Sequence, residues 1–483
     1  MSPSGTLGRV VVIGNSFAGL LTALALAEHA DQVTIVDRDR IPDGPQPRSG
    51  IPQGRHIHVL LAAGQRAMEA MLPGLLGELA VLGVPSVGLP RDVLQINKGR
   101  WVRRWPQSIP FLTGTRALLE HVVRLRVLKH PRIDTLDAID VVGLTGTSTR
   151  VEGIALRAKG ETTRTSTIAA DLVVDASGRG SRTPQWLTDL GSAAPAEERI
   201  ETGLAYATRL YRAATDPRIA DYKGIYLVPH PQMPRGGVVM PIEEDGEPAT
   251  RRYLVTLSGL AGDEPPTDPE GFETFAARLE HPVLSEWMAA AEAEGPPMGY
   301  RNTANIRRRY ERLDGPDGLL VVGDAACAFN PIYGQGMSVA ALGAEAITKA
   351  LADGRRTVRD LQRAVSAAAE QAWAISAGAD RTMPGETGNG VAPGGFADKL
   401  GSWYLGRVEA HSASNVVVGL AFGNVIHLTA PVTSLFAWPV MRTVLFGRVK
   451  PGPSAPPLLA EAVPMVHAPR QPSPPHEPAA PQP

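Results

Sequence analysis

Apolar positions along this chain fall into runs with two different periods. Near the start, Arg9–Ile13 and Gln32–Val36 are short, nearly continuous apolar runs. Residues 17–28, mostly Leu and Ala, lie between them. Continuous apolar runs of this length read as buried strands, and the spacing predicts a strand–helix–strand unit of ~30 residues. A Pro- and Gly-rich loop follows over 41–54, then helices near 61–72 and 116–128. Residues 133–156 and 163–169 read as paired strands, and 171–174 as another buried strand. From 204 to 260 the period shortens to two, which predicts an antiparallel sheet with strands at 204–211, 223–228, 236–242 and 251–260. A buried strand returns at 319–322 and leads into an apolar helix over 337–351. Beyond Thr357 the pattern is helical, with a Gly/Pro-rich break at 384–395.

This order predicts an α/β (α+β) fold: a Rossmann-like nucleotide-binding domain, an inserted antiparallel-sheet domain and C-terminal helices. The expected boundaries are 1–85, 111–195 and 300–356 for the discontinuous nucleotide domain. The substrate domain takes 86–110 and 196–299, the helical region 357–450, and a disordered Pro-rich tail 451–483.

Glycines at the strand ends bring in chemistry. Gly14-Asn15-Ser16-Phe17-Ala18-Gly19 follows the first strand and opens the first helix. Gly14 allows the tight turn, Gly19 allows close packing, and the helix N-terminus faces a pyrophosphate. Ser16 stands where a glycine is usual, and its small side chain can donate a hydrogen bond. Asp37 ends the second strand at about the distance expected for an acid on the adenosine ribose, with Arg38 beside it. The alternative is an ordinary glycine turn in an α/β protein; the placement of strand, helix and acid favours a dinucleotide. A second turn is Asp175-Ala176-Ser177-Gly178-Arg179. The third is Gly323-Asp324, followed by Pro331 and Gly334-Gln335-Gly336-Met337.

In combining these three turns the chain resembles the group A flavoprotein monooxygenases. In finer detail, residues 51–60, 175–182, 203–210 and 329–337 resemble the polyene epoxidases of polyether antibiotic pathways, with squalene epoxidase a more distant relative. The resemblance covers about residues 8–350 and implies bound FAD. Gly14, Ser16, Phe17, Ala18, Gly19, Asp37 and Arg38 would line the adenosine and pyrophosphate side. Arg48 and Arg55 would approach from the following loop, and Arg116 would reach the pyrophosphate or ribityl chain; solvated surface arginines are the alternative for all three. Asp175, Gly323 and Asp324 would follow, with Asp324 on the ribityl chain and Pro331, Gly334, Gly336 and Met337 against the ring. Asp175-Ala-Ser-Gly departs from the family's simpler Asp-Gly turn.

The implied reaction inserts one atom of O2 through a flavin C4a-hydroperoxide, with NADPH or a separate flavin reductase as electron source. The expected substrate is an apolar polyene, epoxidised in polyether biosynthesis. The competing expectations are an aromatic polyketide hydroxylase, an FAD-dependent isoprenoid-type reductase and a non-catalytic flavin-binding regulator. Trp101, Trp105, Thr208 and Met240 are candidate substrate-pocket residues; for the tryptophans, buried packing is an equal alternative. No protein acid–base pair is required, because the cofactor carries the chemistry.

Composition narrows the partners. The 483 residues carry a formal net charge of −1, which points to no nucleic-acid partner. Cys327 is the single cysteine, so no intrachain disulfide is possible and a reducing cytoplasm is the expected setting. It reads as a small buried residue beside the cofactor rather than a nucleophile. The first residues lack the regions of a signal peptide. His56-Ile57-His58 has no further ligands at zinc spacing, so no metal is expected. Residues 412–441 carry no formal charge but are interrupted by Asn415, Asn424, His427, Pro431 and Pro439. Helices packed on the body are expected there rather than an integral membrane span.

Overall fold

The computed structural model describes residues 6–214, 222–244, 250–389 and 396–459. Five parallel strands form its first sheet, in the order Leu319–Val321, Leu172–Asp175, Arg9–Ile13, Gln32–Val36, Ile133–Leu136. Their apolar runs are continuous because both faces are covered. Val10, Val12, Val33 and Ile35 pack under the helices Phe17–Ala27, Arg116–Val127 and Gly336–Ala352. Val11, Ile13, Val173 and Val321 pack on the other face against Leu144, Val151 and Ile154 of an antiparallel meander. Each such side chain, fully buried, contributes roughly 1.5–3 kcal/mol. Ile13 lies level with Asp175, and Asp175 with Val321, so three segments far apart in sequence end their strands at one edge. That edge is where open α/β sheets take their ligands.

The expected pairing of 133–156 with 163–169 divides differently. Ile133–Leu136 joins the parallel sheet beside Gln32–Val36. The meander is made by Ile139–Gly146, Val151–Ala158 and Ser166–Ala169. The division falls at Ala138, whose positive φ turns the chain.

The second large sheet has seven strands, ordered Glu292–Tyr300, Ala205–Ala214, Thr250–Gly259, Gly236–Pro241, Gly224–Val228, Val93–Asn97 and Arg100–Trp101. Four match the expected alternating strands; the other three come from segments whose alternation is too short or too Pro/Gly-rich to read. Period two gives the sheet two faces. Ala207, Ile225, Leu227, Val239, Val255 and Leu257 pack under the helices Pro269–Ala276 and Val283–Ala289. The neighbouring positions Thr208, Tyr226, Met240 and Thr256 point the other way, toward the parallel-sheet domain.

The long helix Val358–Asp380 backs the late glycine turn. The uncharged 412–441 stretch divides into the helix Val416–Ile426, a turn at Val432–Phe436 and the start of the helix Trp438–Phe446. Among the described residues no helix is long and apolar enough to cross a membrane. Of the expected disordered tail, residues 451–459 lie along the body, where Arg104 Nη1 donates to the Pro457 carbonyl at 3.3 Å and Arg104 bridges Leu459. Residues 460–483 lie outside the described residues.

Candidate functional site

The first turn is held open by its glycines. Gly14 has φ +109°, and a β-carbon at Gly19 would overlap the Gly14 carbonyl oxygen. The Asn15 amide donates to Asp37 Oδ2 at 2.6 Å, which fixes the acid against the turn. Arg48 then reaches back, with Nη1 3.2 Å from Asp37 and Nη2 donating to the Asn15 carbonyl at 2.8 Å. Ser16 Oγ donates to Glu120 Oε2 at 2.6 Å and accepts from Arg116 Nη2 at 2.8 Å. The Arg116 guanidinium lies over the Phe17 ring, 4.6 Å from its centroid.

Glu120 is a site residue that the sequence reading missed. It is 4% exposed and pairs with Arg48 at 2.6 Å, Arg124 at 2.5 Å and Arg116 at 3.4 Å. Burial would raise its carboxyl, but Arg116, Arg48 and Arg124 outweigh that and hold it below the usual range. Arg116, Glu120 and Arg124 are spaced by four on one helix, which is the signal that could have revealed the face. Three guanidiniums against the carboxylates of Asp37 and Glu120 leave this turn net positive at a helix N-terminus. Such a cluster suits a phosphate-bearing ligand.

The late turn meets the first one. A β-carbon at Gly323 would lie 2.5 Å from that of Ala18, so this approach requires glycine. Asp324 is half-buried and takes no hydrogen bond among the described residues. Gly334 has φ +64°, and a β-carbon there would overlap Val59 Cγ2. Gln335 is 1% exposed, and among the described residues neither its Nε2 nor its Oε1 has a partner. A buried amide with nothing to bond is the kind of group that a bound polar ring satisfies. Pro331 begins the turn, and Gly336 opens the Gly336–Ala352 helix beside Asp324. Met337 faces the core, so this position offers only its backbone to a ligand. The free carboxylate, the crowded glycines, the unpartnered amide and the positive turn together fit FAD.

Three expected cofactor residues sit differently. Asp175 is fully buried and spends its carboxylate on its own turn, accepting from Ser177 N, Ser181 Oγ and Thr183 Oγ1 at 2.8, 2.5 and 2.6 Å. The two side-chain donors, Ser181 and Thr183, follow the Asp-Ala-Ser-Gly turn. Arg38 is exposed and donates to the Gly50 carbonyl at 3.2 Å. Arg55 is exposed, with Nη1 3.9 Å from Met298 Sδ on the substrate sheet. Arg179, which the sequence reading did not single out, ties the middle turn to the late one through the Ala304 carbonyl and, at 2.5 Å, the Phe329 carbonyl.

On the substrate side, Met240 packs with Phe111, Ile57, Val59 and Tyr226, and Val59 abuts Gly334. Beside this wall His56 Nδ1 is 2.7 Å from Thr208 Oγ1, and Thr208 is 2.6 Å from Thr256 Oγ1. Burial, aided by Arg55, lowers the His56 pKa to about 4, so the ring is neutral at neutral pH. Burial and Arg116 likewise lower His58 to about 3.

Thr208 and Met240 therefore face the cofactor domain, but Trp101 does not. Trp101 is opposite Ile96 and shares its face, in the core under the Pro269–Ala289 helices, with its ring 4.9 Å from that of His281. Trp105 is buried with its Nε1 3.8 Å from where a β-carbon at Gly419 would stand.

A cavity opens where the sheet meets the late turn, lined by Leu204, Tyr226, Leu260, Ile332, Tyr333 and Asp380 among others. Asp380, 2% exposed and also unforeseen, accepts from Asn305 at 2.6 Å, Asn330 at 2.9 Å and Tyr333 Oη at 2.6 Å. Burial raises its carboxyl above the ordinary range despite these donors. Cys327 is buried, and burial raises its thiol, which fits a packed residue. Among the described residues no group of three His, Cys, Asp or Glu could hold a metal ion.

Comparisons with known proteins agree with this geometry. Residues 8–378 match the family described as FAD binding domain. The Mycobacterium tuberculosis protein Rv3254 is 31% identical over 383 residues, covering 76% of this chain and 79% of its own. Kynurenine 3-monooxygenase of Salinispora tropica is 28% identical, over 69% and 70% of the two chains. The crystal structure of p-nitrophenol 4-monooxygenase from Pseudomonas putida shares the fold with a TM-score of 0.59 at 15% identity, covering 88% of this chain and 97% of the other.

Proposed function

This chain belongs to the FAD binding domain family, among the flavin-dependent monooxygenases, and on that premise we propose that it epoxidises an alkene of an apolar polyene polyketide. The observation that carries this reading is the apolar cluster of Ile57, Val59, Phe111 and Met240, whose Val59 abuts the Gly334 turn. FAD would be held by the Gly14–Gly19 turn, Asp37, Arg48, Arg116 and Asp324, with the Gly336 helix start toward its ring. Bound and reduced there, by NADPH or through a separate flavin reductase, FAD supplies the activation of O2.

The chain's own contribution is to orient and to dry. The apolar wall admits an uncharged alkene and excludes water, which an electrophilic oxygen transfer to a weak nucleophile requires. The N–H groups opening the Gly336–Ala352 helix offer positive potential where negative charge develops. No carboxylate or cation of the chain has to act on the alkene itself.

Aromatic hydroxylation is the second reading, favoured by the neutral His56 and its Thr208–Thr256 relay. A neutral imidazole at that position could accept a hydrogen bond from a phenol. Purified protein supplied with FAD, a reductant, 18O2 and a panel of polyenes and phenols separates the two. Polyene products heavier by one labelled oxygen per epoxide support epoxidation, whereas labelled catechols only would transfer the assignment to hydroxylation. Oxygen-independent turnover would overturn both.

A further inference from the structure

The C-terminal helices carry an exposed surface that the reaction does not use. The helix Trp438–Phe446 buries Val440 and Val444 against Tyr404, Val408 and Leu435. Its opposite side, at the i, i+4, i+7 and i+8 positions, presents Trp438, Arg442, Leu445 and Phe446. Trp438 is 62% exposed and Phe446 77%. Two further aromatics belong to the same surface. Phe436, exposed, stacks on Tyr404 with ring centroids 4.7 Å apart. Trp403, 52% exposed, lies under Arg407, whose guanidinium is 5.6 Å from its ring. Arg407 in turn donates to the carbonyls of Val444 and Gly447 at 2.8 and 3.4 Å, which fixes Trp403 beside the end of the Trp438–Phe446 helix. A soluble surface scatters large apolar residues singly; a contiguous set of aromatics marks a contact.

Charge indicates what the contact is with. Between Leu400 and Leu459 the basic residues are Arg407, Arg442, Arg448 and Lys450, and the only acid is Glu409. Glu409 is already paired with Lys98. Arg442, Arg448 and Lys450 are exposed. Tryptophans and phenylalanines at the level of exposed cations suit the interface of a bilayer bearing anionic headgroups. We infer that this C-terminal surface docks the protein onto an anionic lipid bilayer, lying on it without crossing it. The reading rests on exposure and charge alone and holds whichever substrate the enzyme takes.

Flotation of the full-length flavoprotein with phosphatidylcholine vesicles, with and without phosphatidylglycerol, tests the inference. The protein is expected to float with the anionic vesicles, to be released by high salt, and to stay behind with pure phosphatidylcholine. Replacing Trp403, Trp438 and Phe446 by serine should weaken anionic-vesicle binding about tenfold or more, while flavin content and circular dichroism stay unchanged. R442E/R448E/K450E should abolish the preference for the anionic lipid. Wild-type protein that ignores both vesicles, or serine variants that bind as wild type does, would overturn the proposal. So would a concentration-dependent dimer in sedimentation velocity that the serine variants lose, because the surface would then cover a second copy of the chain.

Discussion

Arg116 donates to Ser16 Oγ across 2.8 Å, joining the first residue of one helix to the N-cap of another 100 residues away in the chain. A cation at a helix N-terminus is unfavourable unless an anion is near. Glu120 answers part of that charge, and the dinucleotide's pyrophosphate would answer the rest. Arg116→Ala is therefore expected to weaken FAD binding by about ten- to a hundredfold, the range for one lost charged hydrogen bond. Titration of apoprotein with FAD reads this directly, and an unchanged dissociation constant would remove Arg116 from the site.

Glu120→Gln makes a different prediction. The amide keeps the volume but leaves Arg48, Arg116 and Arg124 facing one another without their carboxylate. Breaking a buried ion pair from one side costs about 3–5 kcal/mol, so urea unfolding should show a stability loss of that order. A loss below ~1 kcal/mol would mean that water or a rearranged Asp37 already satisfies the arginines.

Residues such as Glu120 explain what could be read before the structure and what could not. The parallel strands were legible because burial on both faces writes itself as continuous runs, as in Arg9–Ile13. The glycine turns were legible because Gly14, Gly323 and Gly334 stand where no side chain fits. Glu120 was not, since an acid between two arginines on a helix also describes a solvated face. Nor was the side on which Trp101 lies, because that depends on its pairing with Ile96 across a tight antiparallel turn. Asp175 looked like a cofactor ligand by position. Its neighbours Ser181 and Thr183, which turn its carboxylate inward, act only once the loop has folded.

Gly334 tests the contact between the late turn and the Val59–Leu60 strand. Alanine there meets a left-handed φ of +64°, which costs roughly 1 kcal/mol, and also Val59 Cγ2. Gly334→Ala should lose FAD affinity and several degrees of melting temperature. Adding Val59→Ala should recover part of both by removing the overlap, while the backbone strain remains. No recovery in the double variant would show that the Gly334 conformation alone matters.

His56 gives the protein an acid-sensitive point. Its pKa in the fold is about 4 against an ordinary 6.5. The unfolded chain therefore takes up this proton below pH 6.5, whereas the folded chain refuses it until about pH 4. Stability from this group is complete above pH 6.5 and declines as the pH falls toward 4, by about 3 kcal/mol in all. Urea midpoints measured from pH 7.5 to 4.5 should fall more steeply for wild type than for His56→Gln. Parallel slopes would mean that the imidazole takes up its proton in the fold at the same pH as in the unfolded chain.

Asp380 ends the long helix with three donors on one buried carboxylate, and two of them, Asn330 and Tyr333, belong to the turn proposed to meet the flavin ring. The carboxylate is held there against its desolvation cost, which is why its pKa lies above the ordinary value. In the pH range between the ordinary and the raised value, the folded state holds the proton more tightly than the unfolded chain. Stability from this group therefore declines as pH rises through that range. Asp380→Asn abolishes that pH dependence and keeps an acceptor for Tyr333, but its Nδ2 would face the Asn305 and Asn330 amide donors, so it should destabilise the protein by less than the alanine does. Asp380→Ala strands Asn305, Asn330 and Tyr333 together. With each buried donor left unpaired at about 1–3 kcal/mol, it should destabilise the protein by several kcal/mol and loosen the Pro331–Tyr333 turn. The flavin absorption band and its fluorescence quenching report on that turn separately from global unfolding. If Asp380→Ala binds flavin with the wild-type spectrum and affinity, Asp380 supports the helix end and not the ring.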